Sequence, residues 1–563
     1  MKSIQIAGFL LLGVAAFGQN TNPLNIPPFL TGDTFNLVMA PSSHQFYPNI
    51  TTQTFGFNGD YLGPTMIWNK GDSVWINVTN NLGEVATVHW HGLHVSGQND
   101  GGPQITIPDG TTWSPSFPVL NDASTCWYHP HTHENTAPQV NKGLAGMIII
   151  KDTVESQLNL PRTYGTDDFP IIIQDRSFDA QGNFLIDALA DSVLVNGTAH
   201  PYLDLPAQVV RLRLLNGSNA RTYNVGFSDN RTFYVIASDG GLIAVPHPVT
   251  RLRITNGERY EILVDLTNDN IGDSVYLMAY NSTLANNEPG GGGMPNGNSP
   301  LNATNFNILQ LNVMTPTSSP VTTIPASLIT LNPWNPAAAN RTRTKAIQGM
   351  GMFDMGNFNI NGDVFDMMVI NDTIMLNDIE VWQWTNNSNV AHPIHIHDVV
   401  FYITSRNGNP PAPYEAGKKD VFYIKPGETV EFITKFEFYT TDSAAPYMYH
   451  CHNLHHEDMG MMLQFIVVNI TAGVDPSSSG TIDYSVYPNP ARESWQLKYT
   501  GEENISASWI LTDVTGRIVS SADGIQLIPG GNMMISCENE KSGIYFLSLT
   551  TDKGSVTVKL IRQ

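Results

Sequence analysis

Near its C-terminal end the chain reads His450-Cys451-His452-Asn453-Leu454-His455-His456-Glu457-Asp458-Met459-Gly460-Met461. Of all its segments, this one limits the fold most. In an extended strand, successive side chains point to opposite faces. His450 and His452 would then share one face, and Cys451 would take the other. Cys451, His456 and Met461 supply a thiolate, an imidazole and a thioether. With one more histidine, these are the ligands of a blue-copper centre, two His and one Cys with a weak axial Met. A strand with ligands on both faces lies between two metal sites, joined through a few covalent bonds. That arrangement suits electron transfer from a mononuclear copper to a second cluster.

The chain supplies ligands for that cluster. His89-Trp90-His91, His129-Pro130-His131 and His392-Pro393-Ile394-His395-Ile396-His397 each hold an i, i+2 histidine pair. That spacing puts both imidazoles on one face of a strand. Imidazole alone does not select a metal; the Cys451/Met461 pair selects copper. His392 has the opposite parity to His395 and His397, so it can join Cys451. The mononuclear site is then expected to be His392, Cys451, His456 and Met461, with Met462 as packing.

From Pro28 to Val468 the four histidine motifs, in this order, resemble those of the multicopper oxidases, the laccases, bilirubin oxidases and bacterial cuprous oxidases. The resemblance extends to Asp100-Gly101-Gly102-Pro103, Cys126-Trp127-Tyr128-His129, Gly143-Leu144-Ala145-Gly146, Arg211-Leu212-Arg213-Leu214-Leu215-Asn216 and Ala237-Ser238-Asp239-Gly240-Gly241. It implies four copper ions, one type 1, one type 2 and two type 3. His89 and His395 would bind the type 2 ion. His91, His129 and His452 would bind one type 3 ion, and His131, His397 and His450 the other. Glu457 and Asp100 match acidic positions near the oxygen-reducing cluster, which implies proton relays and a catalytic role beside Cys451. His94, His133 and His455 exceed the implied ligand set and read as surface or supporting residues. His44, His200 and His247 have no partner motif.

The implied reaction is one-electron oxidation of a reducing substrate coupled to four-electron reduction of dioxygen to water. Phenols, bilirubin-like pigments and metal ions remain open as substrates. The methionines Met350, Met352, Met355, Met367 and Met368 form only a modest cluster. Ser388 and Val390 stand where the cuprous-oxidase branch has an acidic residue and a methionine. A copper nitrite reductase and a non-catalytic copper-binding surface protein are the alternatives.

A chain of 563 residues exceeds one ordinary domain. Its aromatic, Gly, Pro, Asn and Thr content suits an all-β fold of repeated sandwiches. The resemblance makes these cupredoxin-like domains, expected at 25–155, 165–314 and 350–470, with a linker at 315–349. The middle domain holds no ligand motif and is expected to join the other two. Its Glu288–Gly293 run reads as a flexible loop; no Lys-Ser/Thr follows the glycines, which argues against phosphate binding. The formal charge of −22 argues against nucleic acid or anionic membranes as partners.

Lys2 and the apolar run Ile6–Phe17 read as a secretory leader, residues 1–18, too short to span a bilayer. No transmembrane segment is expected in the mature chain. Cys126 and Cys537 read as unpaired. A Ser/Gly/Pro/Asp linker at 471–482 precedes a last small β-sandwich at 483–563. Its Tyr487-Pro488-Asn489-Pro490, Asp513-Val514-Thr515-Gly516-Arg517, Gly543-Ile544-Tyr545 and Lys559-Leu560-Ile561 resemble the sorting domain of type IX secretion. That implies the type IX machinery as a partner, and a destination outside the cell or on its surface.

Overall fold

The computed structural model describes residues 22–292, 299–351, 357–469, 484–514, 517–538, 540–551 and 554–562. The expected leader 1–18, the linker 471–482, Met352, Met355, Gly293, Thr515 and Gly516 lie outside the described residues. Two compact units are present, Met1–Val467 and Val468–Gln563. The fold is all-β. The α-helices of the described residues are single turns, Gly97–Asp100, Thr136–Asn141 and Leu454–Asp458. Among these residues no helix is long and apolar enough to cross a membrane.

The first unit packs three β-sandwiches. In the first, one sheet orders its strands Phe29–Leu30, Thr65–Asn69, Gly146–Lys151, Ser124–His129, His89–His91. The facing sheet is built on Thr34–Tyr47 and Ser73–Asn80. Ser73–Asn80 alternates buried with more exposed residues, as a half-buried strand should. Ser124–His129 is buried on both faces. Cys126 and Tyr128 enter the first core, while Trp127 packs with Ile172 and Leu215 of the second sandwich. A strand covered on both sides is well placed to end in a buried metal site.

The middle sandwich centres on Val209–Asn216 and Arg259–Asp265, paired antiparallel. Leu212 and Leu214 fill its core. On the other face Arg211 and Arg213 meet Glu261, Glu155 and Asp168 in buried ion pairs. The Glu288–Gly293 run was expected to be flexible, but Glu288 is buried and pairs with Arg253 at 3.2 Å and Lys425 at 3.0 Å. These two charges, from the middle and the third sandwich, hold Glu288 in place.

The third sandwich carries Asp372–Met375, Met462–Val468, Tyr447–Cys451, His392–Ile396 and Val421–Ile424 in one sheet. The expected linker 315–349 needs correcting at its end. Arg341–Gln348 is a strand, parallel to Ile379–Asn386 in the facing sheet. Its Lys345 and Ile347 alternate inward, a period-2 signal masked by the surrounding polar composition. The second unit is a small sandwich of a three-stranded and a four-stranded sheet around Trp495, Leu497, Leu511 and Leu547.

Candidate metal centre

His392–Ile396 lies antiparallel to Tyr447–Cys451, with Ile394 opposite Cys451 and His395 opposite His450. Register therefore sends Cys451 and the paired histidines to opposite sides. On one side His392 Nδ1 is 3.5 Å and His456 Nδ1 3.6 Å from Cys451 Sγ. The outer nitrogens are held too. His392 Nε2 is 3.0 Å from the Ser388 hydroxyl, and His456 Nε2 is 3.4 Å from the Asn453 amide. Met461 is buried in the same apolar cluster as Cys451; Met462 is buried outside it, opposite His450. Burial pushes the Cys451 thiol well above its usual range. A metal cation would reverse that preference, since it binds the thiolate.

On the other side eight histidines converge, all buried. Three sets each bring their donor atoms within 4.8 Å of one another: His91, His129 and His452; His131, His397 and His450; and His89, His91 and His395. The inner contacts are nitrogen to nitrogen. His89 Nε2 faces His395 Nε2 at 3.4 Å, His131 Nε2 faces His450 Nε2 at 3.2 Å, and His452 Nε2 faces His91 Nδ1 at 3.2 Å. The outer nitrogens of most of these rings meet protein acceptors. His89 and His395 reach the carbonyls of Asp100 and Asp420, both at 2.9 Å. His397 meets the Asp100 carboxylate at 2.7 Å, and His91 that of Asp420 at 3.2 Å. Glu457 lies 3.1 Å from His450 Nδ1 and 3.4 Å from His131 Nδ1. Protons held outward leave lone pairs aimed at each other. That is unfavourable unless a cation sits between them, and it is how metal-binding histidines are oriented. The donor set fits copper.

Electrostatics agree. Burial, then the neighbouring histidines, push His89, His91, His395 and His397 well down. His131 is lowered to about 4 and His452 to about 3, burial leading in both. Neutral imidazoles are the form that binds metal. Burial raises Asp100, with Asp398 adding to it. Burial also pushes Glu457 up, but His131 and His450 outweigh it and hold this acid well below the usual carboxylate range.

One sequence-based expectation changes. His131 and His397 lie just beyond the ends of Ser124–His129 and His392–Ile396, so their pairs are not wholly on strands. Pro130 lacks the N–H a ladder needs. Other bonds set these two rings: His131 N–H donates to Thr87 Oγ1 and His397 N–H to the Met448 carbonyl. His94, read as a surface or supporting residue, has its Nδ1 2.7 Å from Asp398.

Sequence reasoning missed the residues that bind the three sandwiches around this centre. Arg259 donates to both Asp420 oxygens, each at 2.6 Å, and to the Thr125 carbonyl at 2.9 Å. One middle-domain side chain thus touches the first domain and orients Asp420, which holds His91 and His395. Gly257, at φ +83, packs on the His452 ring, where a Cβ would come within 2.9 Å. Asn256 donates to the His452 carbonyl. No local motif marks these residues, because their partners are far away in sequence.

Known proteins show the same organisation. The family model described as multicopper oxidase matches residues 40–155, 173–304 and 333–470, and that of a secretion system C-terminal sorting domain matches 485–563. A multicopper oxidase of Staphylococcus haemolyticus is 37% identical over 77% of this chain and 88% of its own length. The cell division protein FtsP of Pectobacterium atrosepticum is 34% identical over 82% of this chain and 96% of its own. Among solved structures, a laccase-like multicopper oxidase of Ochrobactrum sp. superposes with TM-score 0.71 and 33% identity, covering 79% of this chain and 100% of its own. With these relatives, the three matched domains and the two donor sets joined at His450-Cys451-His452, the chain belongs to the multicopper oxidase family.

Proposed function

We propose that the chain is a laccase-like oxidase holding four copper ions, one type 1, one type 2 and two type 3. It takes electrons singly from phenols, bilirubin-like pigments or metal ions. The supporting observation is the segment His450-Cys451-His452 at the end of the strand Tyr447–Cys451, with Cys451 in one donor set and His450 and His452 in the other. Copper at these sites would accept single electrons and deliver four to dioxygen, giving water.

The protein's own groups do the rest. Cys451 gives the covalent route to both flanking histidines. His392, His456 and Met461 complete the mononuclear set. Glu457 spans His131 and His450 and can carry a proton to that side of the cluster; Asp100 serves the His89/His397 side. Positioned acids of this kind accelerate proton transfer by about 10²- to 10⁴-fold. Phenolic reductants are favoured by analogy with the Ochrobactrum protein, which oxidises lignin model compounds. Ser388, not a carboxylate, bonds His392. The C-terminal sorting domain implies export by the type IX machinery to the surface or the medium.

Copper analysis combined with an oxygen electrode tests this reading, using a phenol, bilirubin and Cu(I) as reductants. Four coppers per chain and reductant-dependent oxygen uptake are expected. The second reading is a non-catalytic copper-binding surface protein; among the relatives is one named for cell division rather than for oxidation. Substoichiometric copper and no oxygen uptake would select it.

A further inference from the structure

The mononuclear donor set is closed off. His392 and His456 are at most 1% exposed. One aromatic ring covers both: Phe358 lies 4.8 Å from His392 and 4.6 Å from His456, centroid to centroid, with the imidazoles themselves 5.1 Å apart. Phe358 is itself buried, at 3% exposure. Its backbone is fixed by the next residues, since Asn359–Ile360 pairs with Ile347–Gln348. Gly349, at φ +105, approaches the Asn357 carbonyl and Phe358 Cα so closely that a Cβ would clash with both. The outer nitrogens of both imidazoles point at Ser388 and Asn453. Each polar edge is thus occupied, and among the described residues the Phe358 ring packs against both imidazoles.

We infer that Phe358 is a specificity-determining residue: it seals the electron-entry histidines so that reductants act across its ring without touching them. This rests on the proposal that Cys451, His392 and His456 hold the mononuclear copper. In each event the reductant loses one electron and the bound copper gains it; a phenol also releases its hydroxyl proton to solvent. A reductant that works at a distance, such as hexacyanoferrate(II), tolerates this cap. A phenol, which gains from close approach, is slowed by it.

Phe358→Ala, with Phe358→Leu and Phe358→Trp beside it, tests the inference in the full-length chain. The first readout needs no copper. Iodoacetamide alkylation of Cys451, followed peptide by peptide in the copper-free chain, should be faster in Phe358→Ala than in the native chain. Cys126, buried in the first sandwich, serves as control and should not change. The second readout is the ratio of kcat/KM for 2,6-dimethoxyphenol to that for hexacyanoferrate(II) in the copper-loaded chain. It should rise in Phe358→Ala and fall in Phe358→Trp, with the blue band retained. An unchanged Cys451 rate together with an unchanged ratio overturns the inference. If Cys126 accelerates too, the alanine chain has opened globally. The ratio in Phe358→Leu and Phe358→Trp then decides, and no movement in either overturns the inference. A native chain that binds copper without turning blue would overturn the copper reading instead, while the alkylation rates still report on the seal.

Discussion

Most of the ligand histidines are held at their outer ring nitrogen, and this makes single substitutions informative. Cys451→Ser removes the thiolate but little volume. We expect loss of the intense blue absorption and of oxygen uptake with every reductant, while the eight cluster histidines keep their partners. A variant that stayed blue and active would refute the assignment of Cys451. Glu457→Gln keeps shape and removes the titratable proton. Copper content and colour should survive, and reduction of the blue centre by substrate should stay near the native rate. Reoxidation by dioxygen should slow by about 10²- to 10³-fold, the range for loss of a positioned acid. Stopped-flow absorbance separates the two half-reactions; slowed reduction with normal reoxidation would move Glu457 to the substrate side.

At the level of elements, strands and the loops after them set the site, and the middle domain locks them. The strand Arg259–Asp265 places Arg259 between Asp420 and Thr125. Both members of the Arg259–Asp420 pair are buried. Removing one partner of such a pair costs about 3–5 kcal/mol, because the other charge is left uncompensated. Arg259→Met should therefore lower the thermal midpoint markedly and reduce the copper retained after dialysis, since Asp420 orients His91 and His395. Calorimetry and copper analysis check it; a variant with native stability and full copper would show that Asp420 needs no such support. The strand Arg341–Gln348 makes the same point about elements. It follows a stretch rich in Asn, Pro and Ala, yet pairing with Ile379–Asn386 makes it a strand.

For the whole molecule, every candidate ligand lies in the unit Met1–Val467. Deleting 483–563 should leave oxidase activity intact and strand the protein in the periplasm; surface display of the truncated chain would rule out the sorting role. The donor groups themselves were legible in the sequence, because two-residue periodicity in strands sorts side chains to faces. His450-Cys451-His452 therefore announced two sites back to back, and the parity of His392 against His395 and His397 distributed the ligands. The strand-like runs 73–78, 147–150, 259–264 and 464–468 were equally legible, and each lies within a strand of the fold. What local pattern could not supply was the support. Asp420 meets Arg259 across 161 positions, and His397 meets Asp100 across 297. Ser388 and Asn453 gained meaning only once they were seen against His392 and His456, and Phe358 only once its ring was seen over both. Ligand identity follows from periodicity within a strand. Ligand orientation, proton placement and access depend on which distant strands pack together, and that was decided by the tertiary structure.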